Sequence, residues 1–492
     1  MHWSNAQLCE ANATELSLAL ESGEITSQQI VRALIERISM IDAPGTEIEL
    51  RSVLAIAPDA LEQAKRSDDE RRAGRVRGRF HGVPIALKDN VEAKGLPGTA
   101  GSTALVGRPV LTDAPLVTRL RDAGLVVFCA TNLSQWANMR SPHSTSGWSA
   151  LGGLTVNPFQ LDRSAGGSSA GSGAALAARL TPLAVGTETD GSITCPASLN
   201  GVVGLKPGVG TVPGQGIVPI ATSQDSAGPM ARSVADVASL YEVLSHELGV
   251  LERVLRGAKD IRVGVATNLT TGHTATDSLF DDVIRRLNDR GIATSPVTVA
   301  KADHEVEADE LTVLLCEMAD DLSAFLARRG GAPASVAEVI DFENHHADVE
   351  LAHFGHEFLD QAVASGGRAG PTYADARTRN VSWAVNQCLE PALDGVDCFL
   401  APSYGPAWKN DLVLGGEGSA RWSGVTQAAA IAGWPIATVP IGLVGGLPVG
   451  LSIVGRRGSE PILLAVAFEV ERMLGLLENN ALRPSFARPR RG

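Results

Sequence analysis

Two small polar turns carry the hydroxyl chemistry of this 492-residue chain. The first is Gly166-Gly-Ser168-Ser169-Ala-Gly-Ser172, and the second is Thr187-Glu-Thr189-Asp190-Gly191-Ser192. Between them lie an alanine-rich helical segment and an apolar strand over 183–186. Chain ends of adjacent packed elements are near neighbours, so this unit can bring two hydroxyls together. A serine attacks poorly unless a base takes its proton. A candidate base lies upstream, where the apolar run Val83-Pro-Ile-Ala-Leu ends at Lys88. Burying an ammonium is costly unless it is paired or neutralised. Lys88 therefore either reaches water from its strand end or has its pKa lowered.

Three chemistries compete for the glycine–serine stretch. A phosphate-binding loop needs G-x-x-x-x-G-K-[ST], and no lysine follows these glycines until Lys206-Pro-Gly. That reading fails. Gly167-Ser-Ser169-Ala-Gly171 matches the G-x-S-x-G elbow of α/β-hydrolases, with Ser169 as nucleophile of an esterase. An elbow needs a strand before it, but residues 158–165 read as polar loop. It also needs a late histidine, and the last one is His356. The third chemistry needs no histidine. A lysine of lowered pKa is the base, one serine relays the proton, and the other attacks. The turn Thr189-Asp-Gly-Ser192 can aim consecutive backbone N–H groups at one spot, an oxyanion hole.

The elements that must position these groups read as α/β. Helices are expected over 13–22, from a Thr26…Gln29 capping box through Ile41, and over 58–72. Residues 115–140 read as helix, buried strand (125–130) and helix (133–139). Strands recur at 261–267, 398–402, 436–441 and 449–454, and a last helix at 461–474. A helix from Ser233 is expected to stop at Gly249. Residues 310–390 are helical and charged, an insertion or cap on the core. Continuous apolar strands alternating with helices mark an α/β fold built largely on parallel pairing. Absence of repeats and low-complexity tracts favours one large domain over 1–492. It comprises N-terminal helices (10–75), a core (80–245 and 395–475) and a variable helical region (250–395).

Composition excludes some classes. A formal net charge of -13 argues against nucleic acid as the main partner. No apolar stretch is long enough to span a membrane. The N-terminus lacks the basic and apolar regions of a signal peptide. The six scattered cysteines form no C-x-x-C pair and read as reduced thiols of a cytoplasmic protein. His345-His346 and His353-x-x-His356 offer a metal reading if helical, but no third ligand is in view.

The two turns, with Gly201-Val-Val-Gly-Leu-Lys-Pro207, Gly82-Val-Pro-Ile-Ala-Leu-Lys88-Asp-Asn90 and Gly446-Leu-Pro-Val-Gly-Leu-Ser-Ile-Val-Gly-Arg456, closely resemble the amidase signature family over about residues 10–475. The resemblance implies an α/β domain with a mixed, mostly parallel sheet of about eleven strands covered by helices, and no metal or cofactor. It implies Ser192 as nucleophile, Ser168 as bridging serine on a cis peptide, and Lys88 as general base. The backbone amides of Thr189, Asp190, Gly191 and Ser192 would form the oxyanion hole. The activity implied is hydrolysis of a carboxamide through an acyl-enzyme. Asp190-Gly191 stands where most of the family has Gly-Gly. With Trp136-Ala-Asn-Met-Arg-Ser141, Ser146-Gly-Trp148 and Asn344-His-His-Ala-Asp, this is most similar to bacterial peptide amidases. The acyl pocket would then be lined by residues 136–148, with Trp136, Met139, Arg140 and Trp148 as candidates. The implied partner is a peptide or small-molecule amide, bound by a monomer or homodimer. The alternative is a glutamyl-tRNA amidotransferase A-type glutaminase working in a complex.

Overall fold

The computed structural model describes residues 3–414, 417, 420–477 and 479–488. Eleven strands form one sheet: β1 (Val53–Ile56), β2 (Pro84–Lys88), β3 (Val126–Thr131), β4 (Leu183–Glu188), β5 (Val203–Lys206), β6 (Ser226–Ala231), β7 (Val263–Ala266), β8 (Thr294–Val297), β9 (Cys398–Pro402), β10 (Ile436–Val444) and β11 (Leu447–Gly455). Their order is β1-β3-β2-β4-β6-β5-β10-β11-β9-β7-β8.

The sheet is mixed, as expected, but it is not mostly parallel. Six of its ten pairings are antiparallel and four are parallel. Parallel pairs need long crossovers, whereas antiparallel neighbours need only a short return. The parallel expectation came from the helix-linked strands β2, β3 and β4. The middle of the sheet is built instead from returns such as the β10–β11 hairpin, whose turn places Gly445 and Gly446 at positive φ. β6 has no apolar run to announce it: its Gly228 is needed because a Cβ there would sit 1.9 Å from Leu205 O.

The Thr26 capping box forms, with Thr26 Oγ1 accepting from Gln29 N and Gln29 Oε1 accepting from Thr26 N. It starts the Ser27–Ile41 helix, whose Ile30, Val31, Leu34 and Ile38 are buried. The other expected helices appear as Ala13–Glu21, Ala60–Arg72 and Pro115–Asp122. Two expectations change. The 233–249 helix spans Val234–Ser245 and ends at His246 in the left-handed region; Gly249 instead precedes a second helix, Val250–Leu255. Residues 133–139 do not form an α-helix. A short 3₁₀ turn, Gln135–Asn138, carries Trp136, Ala137 and Asn138 at positive φ.

The charged segment after 300 is helical as expected, led by His304–Arg329. A separate cluster of buried Leu315, Met318, Leu322, Phe325, Leu326 and Val339 packs this region against Ala100, Leu105 and Trp136 of the core. Among the described residues no helix is long and apolar enough to cross a membrane.

Candidate active site

β2 lies between β3 and β4 in the sheet, so its C-terminal residue, Lys88, emerges among buried neighbours. Lys88 is fully buried. Its Nζ lies 2.7 Å from Ser168 Oγ, 2.9 Å from Thr187 Oγ1 and 3.2 Å from Thr187 O. Asn90 Nδ2 also donates to Thr187 Oγ1, at 3.0 Å. Burial pushes the Lys88 pKa from 10.5 down to about 7, against the opposing pull of Asp225 and Glu188. A neutral amine has two N–H bonds and one lone pair. Thr187 supplies two acceptors, which leaves the lone pair for the Ser168 hydroxyl proton.

Ser168 follows a cis Gly167–Ser168 peptide bond. Its carbonyl accepts from Ser134 N at 3.1 Å. The next residue, Ser169, starts the wholly buried Ala170–Ala177 helix. The two turns meet directly, because Ser169 N donates to Ser192 O at 3.1 Å. Ser169 is not an exposed elbow nucleophile. It is fully buried, its Oγ donates to Thr187 O and accepts from Thr187 N, and no strand leads directly into it. Those bonds clip the first turn to β4.

The second turn is held from both sides. Glu188 Oε2 accepts from Ile193 N at 2.7 Å and Thr194 N at 2.8 Å, and also from Thr194 Oγ1. This fixes the chain just after Ser192 and places a carboxylate at the start of the Thr194–Asn200 helix. Gly191 sits at φ 77°, and a Cβ there would stand 2.7 Å from the Tyr404 hydroxyl. Among the described residues the N–H groups of 189–192 have no protein acceptor. Such free, fixed donors are what a developing oxyanion requires. Asp190 is half-buried, and desolvation pushes its pKa up to about 6.

A cavity of about 270 Å³ opens beside this turn. Thr187, Thr189 and Asn90 line it on the catalytic side, and Val212, Ile217 and Ile220 form apolar wall. Ala137 of the 135–138 turn reaches it, whereas the side chains expected at the acyl pocket are not among its lining residues. Arg140 is fully buried against the rings of Trp148 and Phe354 and donates to Glu350 O and Phe354 O. Trp136 Nε1 donates to Glu343 Oε1 at 2.9 Å, and Glu343 Oε2 meets His356 Nδ1 at 2.8 Å. Met139 packs on the cluster that joins insertion and core. These residues therefore fasten the helical region to the loop bearing Ser134.

His356 begins a helix, but His353 lies in a turn, so the pair does not share a helical face. Among the described residues no group of three or more His, Cys, Asp or Glu is placed to hold a metal ion. Four site residues escaped the sequence reading: Asn90, Thr187, Glu188 and Asp225. Asn90 and Glu188 sit two residues after the lysine and four before Ser192, and that proximity was the available signal.

A buried lysine, two serine turns and free turn amides thus meet at the ends of adjacent strands of an eleven-stranded mixed sheet, an arrangement suited to acyl transfer. Residues 29–464 match the family model described as Amidase, and the chain belongs to that family. It is an amidase signature amide hydrolase. A solved structure of native peptide amidase from Stenotrophomonas maltophilia superposes with TM-score 0.88 at 39% identity, covering 94% of this chain and 97% of that one. A probable amidase of Arabidopsis thaliana is 33% identical over 95% of this chain and 91% of its own length. The A-type component of the glutamyl-tRNA(Gln) amidotransferase of Symbiobacterium thermophilum is 30% identical over 94% of this chain and 96% of its own.

Proposed function

We propose that the chain hydrolyses carboxamides through a Lys88–Ser168–Ser192 relay and an acyl-enzyme on Ser192. The observation that carries this reading is the 2.7 Å Lys88–Ser168 contact in a site that takes up both N–H bonds of a neutral amine. Lys88 Nζ accepts the Ser168 proton as Ser168 Oγ accepts that of Ser192. Ser192 Oγ bonds to the amide carbon, and the oxyanion rests on the amides of 189–192. The proton returns along the relay to the nitrogen, the C–N bond breaks, and ammonia or an amine leaves. Water then enters by the same relay and releases the acid.

The substrate class we propose is the C-terminal amide of a peptide. Support comes from the peptide amidase similarity across nearly the whole chain, including a peptide amidase in complex with the competitive inhibitor chymostatin. Six buried, unpaired cysteines suit a reducing compartment, in keeping with a cytoplasmic enzyme. The alternative, a glutaminase working in a complex, is favoured by the similarity to the glutamyl-tRNA(Gln) amidotransferase. A panel of peptide amides, aryl amides and glutamine, assayed for ammonia release by the isolated chain, separates the two. The proposal expects turnover of peptide amides without a partner. Activity confined to glutamine, and only with added partner and tRNA, would replace it with the second reading.

A further inference from the structure

The helical insertion reaches the nucleophile's turn through one short loop. Three carboxylates on the His304–Arg329 helix, at spacings of seven and four, share a face. Asp321 Oδ2 accepts from Thr222 N, Glu317 Oε2 from Ser223 N, and Glu310 Oε1 from Gln224 Nε2, each at 3.0 Å. Arg368 donates to both Asp321 oxygens and to Thr222 Oγ1, and Tyr373 OH donates to Glu317 Oε1, so the carboxylates are themselves held.

The next residue, Asp225, closes the chain of contacts. Its Oδ1 accepts from Thr189 Oγ1 at 2.6 Å, and its Oδ2 accepts from Ile220 N at 2.9 Å and Ala221 N at 3.1 Å. One carboxylate therefore ties the turn before Ser192 to the wall of the adjoining cavity. We propose that Asp225 is a positioning residue for amide hydrolysis, transmitting the grip of the insertion helix to Thr189 and setting the charge that faces Lys88. The inference rests on the Lys88–Ser168–Ser192 reading.

The charges of two carboxyl groups act on Lys88, Asp225 from this loop and Glu188 from β4. Asp225 is in turn faced by Asp321 of the insertion and by Lys206 of β5. Glu188 is committed to Ile193 and Thr194. Asp225 is therefore the carboxyl that joins base and turn. Its own pKa is raised to about 7, chiefly by burial. Above about pH 7 Asp225 carries a charge that favours protonated Lys88, and removing it would let the base become neutral at lower pH. An asparagine keeps one acceptor for Thr189 but sets its N–H₂ against the N–H groups of 220 and 221.

The test is the pH dependence of labelling by a fluorophosphonate, with the site located by peptide mapping, alongside kcat on a peptide amide. For Asp225→Asn the expected result is about 10-fold or greater loss of kcat, less than removal of a whole oxyanion donor, with the acid limb moved to lower pH. Thr189→Val should lose a similar factor, while Thr189→Ser, which keeps the hydroxyl, should restore it. An acid limb unmoved in Asp225→Asn overturns the charge role. Wild-type rates in Thr189→Val overturn the positioning role, and this pair also decides the matter if Asp225→Asn does not fold. Label on a residue other than Ser192 in the wild type would instead defeat the underlying relay.

Discussion

Replacing Lys88 with methionine should inactivate the enzyme and stabilise the fold. Methionine has similar length and fills the buried site without a charge. Lys88 titrates near pH 7 in the fold and at 10.5 ordinarily. That difference costs about 5 kcal/mol of folding free energy where the unfolded chain is protonated. The folded pKa lies below the unfolded one, so the cost is full below pH 7, shrinks as pH rises, and is gone above 10.5. Three hydrogen bonds to Ser168 and Thr187 are lost in exchange. At ~1 kcal/mol net each, they leave a gain of ~2 kcal/mol near neutral pH. Loss of a general base should lower kcat/KM about 10²- to 10⁴-fold. Thermal melts from pH 6.5 to 10 and an ammonia-release assay check both halves. Retained turnover would refute Lys88 as the base. A variant destabilised at neutral pH, or a gain that does not fade with rising pH, would refute a lysine whose pKa is lowered by burial.

Wild-type kcat/KM should rise with pH through about 7 as Lys88 loses its proton, and a profile flat from pH 5.5 to 8.5 would contradict this. Glu188→Ala should cost about 2–4 kcal/mol, because it strands the buried N–H groups of Ile193 and Thr194. It should also lower kcat by displacing Ser192, and unaltered melting and turnover would remove Glu188 from the scaffold. His356 has a raised pKa through its hydrogen bond to Glu343. Its contribution is therefore fully present below about pH 6.5 and lost as pH rises through the raised value. The melting-temperature gap between wild type and His356→Gln should accordingly be wider at pH 5.5 than at pH 9.

Much of the core was legible because burial leaves its mark on composition. The apolar runs ending at Lys88 and Gly186 read as strands, and a lysine ending one of them is conspicuous. What escaped depends on distant partners. Trp136, Ala137 and Asn138 adopt left-handed backbone in a turn whose indole bonds Glu343, 207 residues away. A local pattern reads them as helix. β6, Ser-Ala-Gly-Pro-Met-Ala, has weak strand propensity and forms because β4 and β5 pair with it on either side. Arg140 and Trp148 were expected at the acyl pocket through the family resemblance alone. Their burial against Phe354 follows from an insertion whose docking no local window shows. Asp225 was hidden for the same reason, since Thr189 is 36 residues away in sequence.

The most direct test of the account is to trap the acyl group. The enzyme is quenched in acid during turnover of a slowly deacylated aryl ester and digested, and the adduct is located by mass spectrometry. The acyl mass is expected on the hydroxyl of Ser192 and absent from Ser192→Ala, which should also lose amide hydrolysis. An adduct on Ser168, Ser169 or Cys195, or full turnover by Ser192→Ala, would contradict it.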